Sequence, residues 1–396
     1  MCCYQDIDDS TGIFRPEGSS AMDEAKAYLI AEMRQAKLSV TCDRVGNLYG
    51  RRAGTAGARA VLSGSHVDTV KNGGQLDGVF GVVAALEALR RLRDEGFANE
   101  RSIDMIVFMG EEGSFFSEAL LGSDVLSGNM TVEAARNLQG ADGRSLGQIL
   151  DAACTGEIRN VSLDDYEYFI ETHIEQGPVL WNNKETIGCV TAIVGLYHLW
   201  IEFESCENHA GSTPMYLRQN PQIPAAELTI YLNDLAVRRA KVNPSVVATV
   251  DTWNMYPNAP SVIPGKVRLT VDIRAASETD ILYIRDSIVE QAELLKRKYE
   301  VGMKWGMLME HKPCSLNSDV AAAIEKAARK NRQEPRRITS GAVHDALNIA
   351  QKIKTGMIFV PSRKGISHSP YEWTDWEDLE VGIAVLTDTI KDLSIT

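Results

Sequence analysis

Hydrophobic positions along the chain switch between a helical and a strand period, and the order of the switches outlines the architecture. Asp23 to Leu38 reads as an amphipathic helix, with a strand following within Ser39 to Arg51. The apolar run Ala60 to Ser63 predicts a strand that leads straight into Gly64-Ser65-His66-Val67-Asp68. From about Gly78 to Arg93 the spacing predicts a helix with Val79, Val82, Val83, Leu86 and Leu89 on one face. Ile103 to Met109 is apolar at nearly every position, as a strand buried on both faces requires. Alternation of this kind predicts an α/β domain with a mainly parallel sheet.

The middle of the chain changes character. Tyr197 to Ser205, Ser245 to Trp253, Lys266 to Arg274 and Val301 to Met309 read as strands, and Pro221 to Ala240 and Ser277 to Tyr299 as helices. Ser277 is placed to cap the second helix, with Asp280 three residues on. The order β-α-β-β-α-β is that of a ferredoxin-like unit. An α/β pattern then resumes, with a helix near Val320 to Lys330 and a strand at Gly356 to Val360. The reading is therefore a catalytic domain of residues 1–191 plus 312–396, interrupted by an inserted domain of residues 192–311.

Composition narrows the function. The chain has 396 residues, 44% of them hydrophobic, enough for two cores. A net charge of −13, from 41 basic and 54 acidic residues, opposes nucleic acid and anionic membranes as partners. Seven cysteines, at positions 2, 3, 42, 154, 189, 206 and 314, form no C-x-x-C pair and fit reduced thiols in a reducing compartment. With no basic-then-apolar leader pattern and no apolar run of roughly 18 residues, the expected location is the cytoplasm.

Three polar clusters fall where strands of the first domain end: His66-Val67-Asp68, Asp77-Gly78, and Glu111-Glu112. Ligands of open α/β sheets bind outside the carboxyl ends of the strands, so these groups are expected to converge. His, Asp and Glu are ligands for zinc, manganese or cobalt. Asp77 is the candidate for a carboxylate bridging two ions, and Asp68 for the group that holds the His66 imidazole in one tautomer. Adjacent glutamates suggest a division of labour, in which one binds metal and the other takes a proton from water made acidic by it. Taken singly, a Glu-Glu pair at a loop entrance is ordinarily a surface feature, and the combination carries the argument. His173 and His368 sit in polar, turn-like surroundings, where a lone histidine is more often structural, as His198 and His311 are read to be. In the middle domain His209 lies in a loop of small residues. Arg274 ends a strand, suited either to grip a carboxylate or to pair with a neighbouring acid.

Taken in order, these stretches resemble the hydantoinase/carbamoylase family of binuclear metal amidohydrolases, in the wider aminoacylase and carboxypeptidase superfamily. The family includes N-carbamoyl-L-amino acid hydrolases, allantoate amidohydrolases and ureidoglycolate hydrolases. The resemblance runs from about Gly12 to Glu380 and rests on GSHVDTVKNGGQLDG from Gly64, GEEGSFF from Gly110, HIEQGPVL from His173 and NHAGSTPM from Asn208. VIPG from Val262, DIR from Asp272, SGAVHDA from Ser340 and VPSRKGISHSP from Val360 complete it. It implies two divalent ions per subunit (Zn2+ or Mn2+, with Co2+ or Ni2+ as further options), one held by His66 and His173, the other by Glu112 and His368, with Asp77 bridging. Glu111 would be the general base, and Gln176 would contact the ureido or amide group. Arg274 would bind the substrate carboxylate, whose end Ser261, Val343 and His344 would help line. His209 would reach across from the partner subunit of a homodimer joined through the inserted lid domain.

This sequence also departs from the family pattern. Ser261 replaces an asparagine, Val343 a glycine, and Phe115 a common arginine, while His198 stands at a usually basic position. Serine lacks the amide's paired donor and acceptor, and valine obstructs a backbone approach that glycine permits. With Met1 eleven residues before Gly12, the resemblance leads to the expectation that the family's first helix is missing or shortened. None of these changes touches the metal set, so the expectation is retained hydrolysis with shifted substrate choice. The leading expectation is cleavage of an N-carbamoyl or related linear amide on a small carboxylate. Its alternatives are an aminoacylase or dipeptidase activity, which apolar Phe115 and Val343 would suit, and a non-catalytic metal-binding dimer.

Overall fold

The computed structural model describes residues 12–153 and 157–395, so Cys2, Cys3 and Cys154 lie outside the described residues. The chain folds as two compact units, one built from the chain up to Thr191 and from Ser315 onward, the other from Ala192–Cys314. In chain order the strands begin with β1 (Ser39–Cys42), β2 (Leu48–Arg52), β3 (Ala60–His66), β4 (Ile103–Phe108), β5 (Tyr166–Ile174) and β6 (Gly188–Ile193). The second unit supplies β7 (Gly195–Glu204), β8 (Asn208–His209), β9 (Val247–Tyr256), β10 (Val262–Ile263), β11 (Lys266–Ala275) and β12 (Gly302–His311). The chain then returns through β13 (Cys314–Ser315), β14 (Arg336–Ser340) and β15 (Lys354–Val360).

The large sheet runs β1-β2-β4-β3-β5-β15-β6-β13, with β14 also paired to β6. Its centre, β4-β3-β5-β15, is parallel, and the flanking β2 and β6 are antiparallel to it. This is a mixed α/β fold with a mainly parallel central sheet. Every residue of β3 and β4 is buried, which explains the apolar start of β3 and the apolar run of β4, broken only by Asp104, which is paired with Arg51 and the Tyr166 hydroxyl. Helix Val79–Asp94 packs here, burying Val82, Leu86 and Leu89, each contributing on the order of 1.5–3 kcal/mol. Helix Trp376–Leu393 joins the same core through Leu379, Ile383, Leu386 and Ile390.

One predicted strand divides. Ser39 to Arg51 forms the hairpin β1–β2, because the Asp43 carboxylate gathers the Val45 and Asn47 N–H groups, the Asn47 amide and the Tyr49 hydroxyl into a turn.

The second unit is an antiparallel sheet in the order β12-β7-β11-β9. Along β11, Val267, Leu269, Val271 and Ile273 are buried while Lys266, Arg268, Thr270, Asp272 and Arg274 point to the opposite face. Helices Gln222–Ala240 and Glu278–Tyr299 cover the apolar face. Ser277 caps the latter through the Asp280 N–H, but the Asp280 carboxylate turns away to Arg239 and Asn243 instead of closing a reciprocal box. No described helix is long and apolar enough to cross a membrane.

Candidate metal centre

The four parallel strands deliver their chemistry at their carboxyl ends. His66 is the last residue of β3, His173 is the penultimate residue of β5, Glu111 and Glu112 follow β4, and His368 lies on the loop after β15. Asp77 precedes helix Val79–Asp94, where Gly78 adopts φ +64°, and a Cβ there would fall 2.4 Å from the His66 ring. Glycine therefore lets the Asp77 turn lie directly on the imidazole.

Asp77 is the hub. Its Oδ1 lies 3.3 Å from His173 Nε2 and 4.0 Å from His66 Nε2, and its Oδ2 lies 3.1 Å from His368 Nε2. His66 Nε2 is also 3.8 Å from Glu111 Oε2, and His368 Nε2 is 3.7 Å from Glu112 Oε1. Four groups among the described residues bring three possible metal donors together, and two of them, His66-Asp77-His173 and Asp77-Glu112-His368, share the Asp77 carboxylate; the others are His66-Glu111-Glu112 and Glu171-His173-His344. His173 Nδ1–H donates to the Ile174 carbonyl (2.9 Å) and His66 Nδ1–H to the Asp68 carbonyl (3.1 Å), which turns each Nε2 toward the cluster, where that of His173 also accepts the Gly78 N–H (3.1 Å).

Asp68 does more than orient His66. Its Oδ1 accepts the Glu111 N–H (3.2 Å) and its Oδ2 the Glu112 N–H (2.9 Å), so one buried carboxylate fixes the loop carrying both glutamates. Gln176 Nε2 donates to Asp77 Oδ2 (3.1 Å), while its Oε1 is buried with no hydrogen-bond partner. Gln176 and His368 both hold left-handed backbone conformations (φ 56° and 51°), strain of about 1–3 kcal/mol each that clusters at functional sites. His344 is buried, its ring 4.5 Å from that of His173 and its Nε2 3.0 Å from Ser340 Oγ; Val343 is the residue before it. Phe115 packs edge-on to Phe116 (5.0 Å) within a satellite apolar cluster with Met109 and Leu121, so it lends no support to an apolar substrate pocket.

His209, Ser261 and Arg274 belong to the second unit. His209 Nδ1 accepts the N–H groups of Gly211 and Ser212 (3.0 Å each), which places the neutral ring's proton on Nε2 as a donor. The Ser261 carbonyl accepts the Ala210 N–H (2.9 Å), and Ser261 has φ +63°, a conformation asparagine tolerates better than serine. Arg274 is engaged by Asp272, through Nε to Oδ1 and Nη2 to Oδ2, both at 3.0 Å.

Several contributors escaped the sequence reading. Glu372 Oε1 accepts the Leu76 and Asp77 N–H groups (2.9 and 3.1 Å) and its Oε2 accepts from Ser367 Oγ (2.7 Å), tying the Asp77 turn to the His368 loop. Glu171, two residues before His173, accepts from Ser65 Oγ (2.7 Å) and the Ala346 N–H (2.9 Å). Arg15 and Glu17, near the start of the chain, are buried beside the loops bearing His66 and Glu111. Glu372 and Glu171 had a sequence signal, standing four residues after His368 and two before His173 in the same polar stretches.

So many acids in one place reshape their own titration. Burial, with Glu112 and Asp345 nearby, pushes Glu111 well above the usual carboxylate range. Burial and Asp77 push Glu112 up to about 7, and burial and Asp68 push Glu17 up to about 8. Asp77 goes the other way, because the imidazoles of His173 and His368 outweigh its burial and hold it well below the usual range. Burial and His173 hold His344 well below the ordinary histidine value, so it is neutral.

The donor set fits divalent cations. Buried carboxylates in such density need compensating charge, and Glu112 Oε1 is buried with no hydrogen-bond partner while facing His368. Without an ion, the Asp77 hydrogen bond raises His368 to about 9. Its proton competes with metal, so affinity at Asp77-Glu112-His368 is expected to rise as much as about tenfold per pH unit up to pH 9. By the same linkage, the His368–Asp77 pair stabilises the metal-free protein fully below the unfolded histidine value of about 6.5, and that contribution is lost as pH rises through 9. Zinc titrations at several pH values, beside thermal unfolding of the metal-free protein, check both signs. Affinity independent of pH would contradict the assignment.

A parallel-sheet unit that gathers histidines and carboxylates at its strand ends has the build of a metal-dependent hydrolase. The chain belongs to the peptidase family M20/M25/M40, whose profile matches residues 62–392, and within it to the hydantoinase/carbamoylase group. It is 37% identical over 378 residues to an N-carbamoyl-L-amino-acid amidohydrolase of Paenarthrobacter aurescens, covering 93% of this chain and 90% of that protein. With a ureidoglycolate hydrolase of Oryza sativa subsp. japonica it shares 35% over 383 residues, 94% of this chain and 78% of the relative. The crystal structure of a hydantoinase/carbamoylase family amidase from Burkholderia multivorans superposes with a TM-score of 0.88 at 30% identity, covering 97% of this chain and 93% of that one.

Proposed function

We propose that this protein hydrolyses the C–N bond of an N-carbamoyl (ureido) or related linear amide carried on a small carboxylate, using two divalent ions. The observation that carries this reading is the pair of donor sets sharing Asp77, with Glu111 against His66. His66 and His173 would hold one ion, Glu112 and His368 the other, and Asp77 both. Zinc, manganese, cobalt and nickel all accept such donors. When bound, the ions supply Lewis acidity that brings water within reach of deprotonation near neutral pH.

The remaining roles fall to the chain's own groups. Glu111, made a stronger base by burial and acidic neighbours, takes the proton from water and returns it to the leaving nitrogen. The unpartnered Gln176 Oε1 is an acceptor for a ureido or amide N–H. Asp68 acts through the Glu111-Glu112 loop that it holds, and His344, whose ring lies against that of His173, would help line the substrate's carboxylate end. Val343 would stand at the substrate's carboxylate end. Strand order β12-β7-β11-β9 supports reading the inserted unit as ferredoxin-like. We assign it the lid and homodimer contacts, with its Arg274 taking the substrate carboxylate beside Ser261. The His209 Nε2–H, from the partner copy, would polarise the scissile carbonyl. The scattered cysteines suit a cytoplasmic protein.

A metal-reconstituted assay across N-carbamoyl-L-amino acids, allantoate, ureidoglycolate and β-ureidopropionate, following ammonia, tests the proposal. Ammonia from at least one of them is expected. Free amine from N-acetyl-amino acids or dipeptides, with no ammonia from any ureido compound, would move the protein to the aminoacylase class.

A further inference from the structure

The segment Ile13–Glu17 lies far from the motifs above in sequence, yet it is stitched across two of the loops that build the centre. It pairs first through its backbone, with Ile13 and Gly73 exchanging N–H···O bonds (3.0 and 2.8 Å). Next, the Arg15 N–H donates to Thr69 Oγ1 (2.9 Å) and the Thr69 N–H returns a bond to the Arg15 carbonyl (3.2 Å). The Arg15 side chain is 1% exposed, and its Nε donates to the carbonyl of Val67, the residue between His66 and Asp68 (2.6 Å). Burying a guanidinium is costly unless its donors are met, so a carbonyl that meets one is held firmly in place.

Two residues on, the strap reaches the other loop. Glu17 is fully buried, and its Oε2 accepts the N–H of Phe115 (3.0 Å). Its Oε1 abuts Gly110, where a Cβ would fall 2.8 Å away. Between the loops, Ser114 Oγ donates to the Thr69 carbonyl (3.0 Å), and Asp68 accepts from the Glu111 and Glu112 N–H groups. Segments 13–17, 66–69 and 110–115 thus close a hydrogen-bonded ring whose members include His66, Glu111 and Glu112.

We propose that the Ile13–Glu17 strap is a positioning element of the metal centre, with Arg15 setting the His66 loop and Glu17 setting the Glu111-Glu112 loop. The proposal rests on the metal-centre reading. It acts through pre-organisation: the ring holds donors in place that an unstrapped loop would have to order when the ion arrives.

The test measures zinc affinity of metal-free protein by competition with a chromophoric chelator, alongside thermal unfolding of the same samples. Glu17→Leu removes the acceptor for the Phe115 N–H, and Glu17→Gln keeps it. Glu17→Leu is expected to weaken zinc binding about 10- to 100-fold, the range for losing a group that holds a ligand-bearing segment in place, with Glu17→Gln within about twofold of wild type. A lowered unfolding temperature with unchanged zinc affinity in Glu17→Leu would make Glu17 merely structural and overturn the proposal. If Glu17→Leu does not fold, Ser114→Ala decides: weaker zinc binding supports the ring, and unchanged binding removes it. Wild-type protein that binds no zinc sinks the metal-centre reading and the strap's role together, whereas tight wild-type binding with an indifferent Glu17→Leu sinks the strap alone.

Discussion

Glu111→Gln is expected to lower kcat by about 10²- to 10⁴-fold, the usual contribution of a general base, while leaving the number of bound metal ions unchanged. The amide keeps the shape of the carboxylate but cannot take a proton. Retention of metal is expected because the two donor sets that share Asp77 do not need Glu111, and the Glu111 backbone is held by Asp68 whatever its side chain. KM is expected to move little, because the base acts in the transition state and not in binding. Steady-state kinetics beside metal analysis of the same preparation give both numbers. A variant with wild-type kcat would remove Glu111 as the base and move that role to another group.

Asp77→Ala is expected to be as damaging by another route. Each Asp77 oxygen faces a different histidine cluster, so one truncation takes a donor from both sites. Groups that only orient a ligand cost about 10- to 100-fold in affinity when lost, and a shared direct ligand is expected to cost more than about 100-fold at each site. Metal content should fall well below two ions and ammonia release should vanish with it. Loss of a single ion, with the other held at wild-type affinity, would show that Asp77 serves one site and not both.

How much of this could be read from sequence depended on distance along the chain. His66, Asp77, Glu111 and Glu112 stand just after buried strands or just before a helix, and the carboxyl-end rule for parallel sheets gathers them without any coordinates. His173 and His368 were ambiguous as lone histidines, and the ordered motifs around them supplied the resemblance that placed them. What stayed hidden acts through long-range contacts. Arg15 and Glu17 look like surface charges because nothing local buries them, and their partners lie 52 and 98 residues away. Asp68 was read as an orienter of His66, but its bonds to the glutamate loop depend on two adjacent strands ending at the same level, which β3–β4 register decides. Phe115 replaces a common arginine and invited a substrate role, while packing assigned it to the Phe116 cluster. The hairpin in place of one strand at Ser39 to Arg51 follows the same lesson at short range, since a single aspartate with several donors outweighed strand propensity.

Metal-dependent turnover is the most direct test. Metal-free protein titrated with zinc or manganese, while ammonia release from an active ureido substrate is followed, is predicted to start inactive and gain activity until two equivalents per chain are bound. Turnover at full rate in rigorously metal-free protein, or activity complete with no ion bound at the His66-Asp77-His173 and Asp77-Glu112-His368 sets, would contradict it.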